Sequence, residues 1–159
     1  MRFPVHIAAL LMLMLATIAC SDDSCSDNGS SLPLATFYMN GSQQYISSLS
    51  IMGIGVPGDS LLANGTSINE AYLPLRATTS TTSYAIWRPS ADGSITLRDT
   101  LTLNYEPIEY FHSIECGTMY NFDVQSISHT THGIDSVVLL TPLITNSRTP
   151  ALRIHFANR

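Results

Sequence analysis

Alternation of apolar and polar residues with a period of two dominates the chain from residue 32 onward. Clusters of Gly, Pro, Asn and Asp interrupt this alternation at short intervals. A period of two is typical of strands with one buried face, and no segment keeps the helical period of 3.6. The pattern predicts an all-β domain of eight or nine short strands. We expect an antiparallel β-sandwich, immunoglobulin-like or a related Greek key, with a closed barrel as the alternative.

Two segments qualify this simple picture. In residues 95–105 the apolar residues share one face, but Asp99 falls on the same face, so we predict a bulge or kink near Arg98 and Asp99. Pro142 interrupts the apolar run 137–144, which predicts an edge strand or a bulge there. At the end of the chain, Leu152, Ile154 and Phe156 are expected to point inward.

The N-terminus has a different pattern. Arg2 precedes an uncharged and mostly apolar run over residues 6–18. This run is shorter than the roughly 20 residues that a membrane-spanning helix needs, and a polar segment follows it at once. The arrangement predicts a secretory signal peptide over residues 1–19.

Ile18 and Ala19 stand directly before Cys20, and this arrangement resembles the lipobox of bacterial lipoproteins. The resemblance implies a diacylated Cys20 as the first residue of the mature chain, although Thr17 stands where leucine is commonest. Two acyl chains hold a protein durably on a membrane, whereas one does not. Ser21, Asp22 and Asp23 resemble the acidic export signal of Bacteroidetes lipoproteins.

The resemblance to lipoproteins divides the chain into a signal peptide, a polar tether over residues 20–31 and one sandwich domain over residues 32–159. It implies a lipid anchor in the outer membrane facing the exterior, with the periplasmic side as the alternative. With Cys20 acylated, Cys25 and Cys116 remain as a pair in an oxidising compartment. A disulfide between them is favoured over a metal site, because a closed zinc site needs four ligands.

The order of elements also resembles a family. The segments DSLLANGTSINEAYLPL, DTLTLNY, FHSIECGTMYNF and RIHF are similar to those of small Bacteroidetes lipoproteins known only as a domain of unknown function. The resemblance carries no activity to transfer. It supports the pairing of Cys25 with Cys116.

Apparent catalytic and ligand-binding motifs are weak. Residues 53–58, GIGVPG, fit a dinucleotide fingerprint, but no helical pattern follows them. His129 and His132 lack a third metal ligand, and Glu106, Glu109 and Glu115 are typical of a solvated surface. We therefore expect no enzyme, metal or cofactor, with a small envelope hydrolase or a metal-binding protein as the alternative.

An Asp, Ser or Thr, aliphatic pattern occurs three times and resembles the O-glycosylation sequon of Bacteroidetes. Such triplets are also common where a turn leads into a strand. The candidate acceptors are Ser60, Thr100 and Ser136.

The remaining prediction is a noncatalytic binding or accessory module of the cell envelope. The net charge is -5 and all seven basic residues are arginine, which excludes the basic surface that nucleic-acid binders need. The expected partners are a membrane, reached through the lipid, and an envelope protein or glycan. Trp87 and Arg88 are the candidate ligand contacts, although a lone Trp in a sandwich more often packs in the core.

Overall fold

The computed structural model describes residues 31–56, 60–114 and 116–159, and these residues form eleven strands and no helix. The described residues thus contain no helix with the length and hydropathy that a membrane crossing requires. The strands, in chain order, are β1 (Leu34–Met39), β2 (Ser42–Gln43), β3 (Ile46–Ile54), β4 (Leu61–Ile68), β5 (Glu70–Tyr72), β6 (Thr81–Pro89), β7 (Thr96–Ser113), β8 (Gly117–His129), β9 (Ile134–Leu139), β10 (Leu143–Ile144) and β11 (Pro150–Phe156).

One sheet, called the β1 sheet below, joins the two ends of the domain. Its strand order is β2, β1, β11, β9, and β5 pairs with β1 on the same side as β2. The β1 and β11 strands pair in parallel, with Phe37 opposite Ile154, whereas the other pairs of this sheet are antiparallel. The first and last strands of the domain are therefore central neighbours.

The second sheet, called the β7 sheet, has the order β10, β8, β7, β6, β3, β4 and is antiparallel throughout. Its longest element is the hairpin of β7 and β8. Beyond Asn104, β7 no longer pairs with β6 and has only β8 as a neighbour. Residues 106–114 and 116–121 thus form a two-stranded extension, called the hairpin arm.

The core lies between the two sheets, because alternate side chains of each strand point to the same face. Fully buried side chains come from both sheets, among them Phe37 and Ile154 of the β1 sheet and Ile86, Leu101 and Leu103 of the β7 sheet. Burying a side chain of this size contributes about 1.5 to 3 kcal/mol. The edge-to-face contact between Phe37 and Phe156, with ring centroids 5.8 Å apart, ties β1 to β11.

The predicted all-β sandwich is confirmed, with three corrections of detail. There are eleven strands in the described residues rather than eight or nine, because β2, β5 and β10 have only two or three residues each. The sandwich is not entirely antiparallel, since β1 and β11 run in the same direction. Of the bulge or kink expected near Arg98 and Asp99, the bulge is wrong, because both residues keep regular pairing with β6.

Several positions follow the alternation as expected. Leu152, Ile154 and Phe156 are buried, and so are Leu97 and Leu101, whereas Ile95 is exposed. The apolar run around Pro142 is divided into β9 and β10, which are edge strands of different sheets, as the proline indicated. Asn40 and Gly41 both have positive φ, as the two central residues of the tight turn between β1 and β2 require.

Candidate functional site

The side chains of Trp87 and Arg88 lie on opposite faces of β6. Arg88 is 7% exposed and points into the sandwich in phase with Tyr84 and Ile86, whereas Trp87 is half-buried on the outer face. The guanidinium of Arg98, the cross-strand neighbour of Trp87, lies 5.1 Å from the Trp87 ring centroid. The two residues predicted as a joint ligand contact therefore do not share a surface.

Arg88 is a buried cation whose guanidinium contacts backbone carbonyls. Its Nη1 donates to the carbonyl of Pro89 at 3.1 Å and its Nη2 donates to the carbonyl of Ala157. The guanidinium also lies 5.9 Å from the Phe156 ring centroid. Among the residues described, no Asp or Glu lies within ion-pairing distance of it.

The Nε–H of Arg88 is buried and lacks a hydrogen-bond partner among the described residues. The Nε atoms of Arg76 and Arg153 are also unpartnered, but those two side chains are only partly buried. Burial lowers the pKa of Arg88, and the more distant Asp99 partly offsets this. A cation removed from water without a contacting anion is costly, so this position favours an anionic partner.

A cavity of about 290 Å³ opens beside this guanidinium, and we call it the Arg88 cavity. Residues from β3, from the end of β6 and from the C-terminal segment line it, and none of them is acidic. Its polar lining includes Ser47, Ser48, Ser90 and Asn158, and Tyr45 is 66% exposed at its rim.

An irregularity of β3 shapes this cavity. Between the pairs Ile46–Ile68 and Leu49–Thr66, β3 has two residues where β4 has one, so Ser47 and Ser48 form a bulge. Ser48 has a φ of 52°, which is uncommon for a residue other than glycine. Backbone of this kind is often found at binding sites. The bulge leaves both serines exposed at the cavity.

Asp99 is the second buried charge, and its side chain is 2% exposed. Its Oδ1 accepts hydrogen bonds from the Thr130 hydroxyl and the His132 amide, both at 2.7 Å. Its Oδ2 accepts from the amides of Gly133 at 2.6 Å and Ile134 at 2.8 Å. Asp99 therefore holds the loop between β8 and β9 in place, and its carboxylate is occupied by structural hydrogen bonds.

The two histidines of the HxxH spacing do not converge on a common point. His132 Nδ1 lies 3.2 Å from Asp99 Oδ1, whereas His129 Nδ1 lies 2.9 Å from the Thr130 carbonyl oxygen. Within the described ranges, no group of three or more His, Cys, Asp or Glu residues is placed to hold a metal ion.

A network of hydroxyl groups connects the start of β6 and the middle of β7 to the loop before β6. The Tyr105 hydroxyl accepts from the Arg76 amide and donates to the Arg76 carbonyl, both at 3.0 Å, and lies 2.7 Å from the Thr82 hydroxyl. The Tyr84 hydroxyl donates to the carbonyl of Pro74. Burial raises the pKa of Tyr84, and Tyr105 raises it further, so this hydroxyl stays protonated. The network fastens the loop before β6 to the sheet.

The hairpin arm lies close to the start of the described chain. The Ser31 hydroxyl donates to the Asn121 side-chain oxygen at 2.8 Å. At the tip, Phe111 is 69% exposed and Ile114 is 88% exposed. Cys116 lies in the turn, where its amide donates to the Ser113 hydroxyl at 3.1 Å. A larger cavity, of about 390 Å³, lies between the arm, Ser31 and the loop before β6.

The other predicted site residues have varied positions. Cys20 and Cys25 lie outside the described residues, so lipid attachment and the Cys25–Cys116 disulfide stay predictions. Ser60 and Thr100 are exposed and Ser136 is half-buried, and their O-glycosylation also stays a prediction.

The sequence of β6 carries a signal for the inward position of Arg88. Tyr84, Ile86 and Arg88 share one phase of β6, so the alternation places Arg88 inside and Trp87 outside. Tyr45 and the two serines of the bulge gave no comparable signal, because a bulge cannot be located from the alternation of β3 alone.

These features define the class of protein: a small all-β sandwich of two packed sheets with a small cavity beside a buried arginine. A family model described as "Family of unknown function (DUF6452)" matches residues 48–156, from the bulge of β3 to the end of β11. Because the match spans more than half of the sequence, the chain belongs to this family. No curated protein and no solved structure matches the chain.

Proposed function

We propose that this protein is a noncatalytic binding module of the cell envelope, held on the outer membrane by lipid on Cys20 and displayed on the outer face. The observation that carries the binding role is the Arg88 cavity, which has in its wall a buried arginine with no carboxylate within ion-pairing distance among the described residues. Small-molecule sites combine such concave surfaces with a few convergent polar groups.

The buried titratable groups support a binding role over a catalytic one. Both oxygens of Asp99 accept hydrogen bonds from the β8–β9 loop, and Tyr84 is held protonated by its burial. A general acid or base needs a pKa near the working pH and access to substrate. Asp99 and Tyr84 are therefore assigned structural roles.

The anchor is supported by the sequence of the signal peptide, and its connection to the domain by the position of Ser31. Ser31 contacts the hairpin arm at Asn121, and the segment from residue 25 to residue 31 can span up to about 20 Å. Cys116 lies five residues from Asn121, or about 17 Å along a strand. A Cys25–Cys116 disulfide is therefore within reach, and it would fasten the lipid tether to the arm. The Bacteroidetes origin suggested by the lipobox and the acidic export signal belongs to the same proposal.

The experiment combines labelling with protease treatment of intact cells. Cells that express the full chain and are fed a clickable fatty acid should label the wild-type protein but not Cys20→Ala. External protease should digest the wild-type domain in intact cells. A wild-type protein that resists protease until the cells are lysed would contradict display on the outer face, and an unlabelled wild-type protein would contradict the anchor. A double variant tests the export signal. With both Asp22→Ala and Asp23→Ala, the protein should keep the lipid label and become protected from external protease.

A further inference from the structure

We propose that the Arg88 cavity binds one acidic sugar residue, a uronic acid, with its carboxylate on Arg88 and its ring against Tyr45. This inference rests on the binding role proposed above and adds the chemical class of the ligand.

The charge of the cavity indicates the acidic group of the ligand. Arg88 is more than nine-tenths buried, lines the cavity and has no carboxylate within ion-pairing distance in the described chain. None of the lining residues is acidic, and the acid next to the lining, Asp92, has its carboxylate occupied by hydrogen bonds from Ser90 and Ser94. The Arg88 guanidinium has five N–H donors, and the described residues supply acceptors at Nη1 and Nη2 only, each a single backbone carbonyl. Guanidinium groups bind carboxylates through their remaining donors with favourable geometry.

The remaining walls indicate a ligand that carries hydroxyl groups. Ser47, Ser48 and Asn158 offer polar side chains at the cavity, and they can both donate and accept hydrogen bonds. Tyr45 presents an aromatic ring that is 66% exposed, and its apolar body with a polar tip suits the face of a sugar ring. A simple aliphatic acid would leave these groups without partners.

The volume limits the size of the ligand. At about 290 Å³, the cavity is at the small end of the range of about 300 to 1,000 Å³ that is usual for ligand pockets. One sugar residue suits this space, and further residues of a glycan chain would extend into solvent past Tyr45. The bulge at Ser47 and Ser48 shapes this wall of the cavity.

The test is a titration of the full, isotope-labelled chain with three probes, observed by NMR. Sodium glucuronate carries both the carboxylate and the hydroxyl groups, glucose lacks the carboxylate, and sodium acetate lacks the sugar. Glucuronate should shift the Arg88 Nε–H signal and the amide signals of Ser47 and Ser48 in a saturable manner. It should bind at least about tenfold more tightly than glucose, because a hydrogen bond to a charged group is lost with glucose.

Each other outcome overturns part or all of the proposal. An unchanged Arg88 Nε–H signal at saturating glucuronate would overturn the site. Equal affinity for glucose would overturn the role of the carboxylate, and equal affinity for acetate would overturn the sugar class. Since lipid labelling and protease digestion are measured separately, a failure here with the anchor intact would leave the proposed envelope location standing.

Variants complete the test. Arg88→Met should abolish glucuronate binding, and Arg88→Lys should weaken it at least about tenfold, because lysine lacks the planar fork.

Since Arg88 is buried and these variants can fail to fold, Tyr45→Ala provides a second test at an exposed residue. It should weaken binding about fivefold or more through loss of ring contact. Tyr72→Ala, an exposed tyrosine of β5 that does not line the cavity, is the matched control and should bind like the wild type. Equal binding by both tyrosine variants would contradict the assigned position of the sugar.

Discussion

The carboxylate of Asp99 accepts a 2.6 Å hydrogen bond from the amide of Gly133, 34 residues later in the chain. The contact is buried and joins the first part of β7 to the loop that carries the chain from the β7 sheet to the β1 sheet. A side chain added to Gly133 would lie 2.9 Å from the Leu97 Cβ, so the loop packs directly against β7. Asp99 thereby holds in place the loop that connects the two sheets.

Replacing Asp99 by asparagine should destabilise the fold. An amide has one accepting oxygen, and its NH₂ group would face the amides of Gly133 and Ile134, which also donate. We expect the free energy of unfolding to fall by about 2 to 4 kcal/mol, measured by urea denaturation. Asp135→Asn, at an exposed aspartate of β9, is the control and should change stability by less than about 0.5 kcal/mol. Equal effects of the two substitutions would contradict the role of Asp99.

Acidic pH should lower the stability of the fold because it protonates the Asp99 carboxylate. Burial raises the pKa of Asp99, but the hydrogen bonds from Thr130 and from three backbone amides outweigh it, so the pKa lies below its ordinary value. A carboxyl group whose pKa is lower in the folded than in the unfolded protein stabilises the fold at pH values above its unfolded pKa, which is about 3.9 for Asp. This stabilisation is lost as the pH falls through the pKa of the group in the folded protein. The urea midpoint of the wild type should therefore fall steeply below about pH 4.

The dependence of the urea midpoint on pH in Asp99→Asn separates the contribution of Asp99 from that of the other acidic residues. Asp92 also has a lowered pKa, of about 2, because Ser90 and Ser94 donate hydrogen bonds to it. Asp92 remains in the variant, so some acid sensitivity should persist and the difference between the two profiles reports Asp99. Profiles that run parallel across the acid range would show that Asp99 is not the titrating group.

Tyr105→Phe should loosen the loop before β6. The substitution removes the hydroxyl that accepts from the Arg76 amide and lies 2.7 Å from the Thr82 hydroxyl, and it leaves both groups without this partner. We expect a loss of about 1 to 3 kcal/mol in urea unfolding and faster hydrogen exchange at Arg76. Tyr45→Phe is the control because Tyr45 is 66% exposed, and it should leave stability unchanged. Unaltered exchange at Arg76 in Tyr105→Phe would contradict this assignment.

Cys25→Ser and Cys116→Ser should destabilise the oxidised protein to the same extent. A disulfide that closes a loop of about 90 residues contributes up to about 4 to 5 kcal/mol in the chain-entropy treatment. The measurement is thermal unfolding with and without reductant, together with mass spectrometry of peptides from the unreduced protein. Reductant should lower the melting temperature of the wild type and leave that of either variant unchanged. A peptide that links Cys116 to Cys20 instead would contradict both the pairing and the lipid anchor.

Much of the fold could be predicted from the sequence because strand side chains alternate between two faces. The inward phase of Leu152, Ile154 and Phe156 and the edge position indicated by Pro142 both follow from local chemistry. The bulge expected at Asp99 was wrong because a charged residue on an apolar face can also be satisfied by a distant loop. The carboxylate receives its hydrogen bonds from residues 130–134, which no local pattern connects to β7.

The candidate site was only partly visible in the sequence. The sequence predicted Arg88 as a ligand contact because it stands next to Trp87. In the structure, Trp87 lies on the other face of the strand. Tyr45, Ser47 and Asn158 join Arg88 only through the pairing of β3 with β6 and the position of the segment after β11.

The sequence by itself determined that the chain is a β-sandwich and which side of most strands is buried, since both depend on a period that each strand carries locally. The tertiary structure alone decided that β1 pairs in parallel with β11, that Asp99 holds the loop after β8 and that a cavity remains beside Arg88. Each of these depends on contacts between residues far apart in the chain. Such contacts form when the two sheets bury their apolar faces together, and a local pattern does not specify which distant residues then become neighbours.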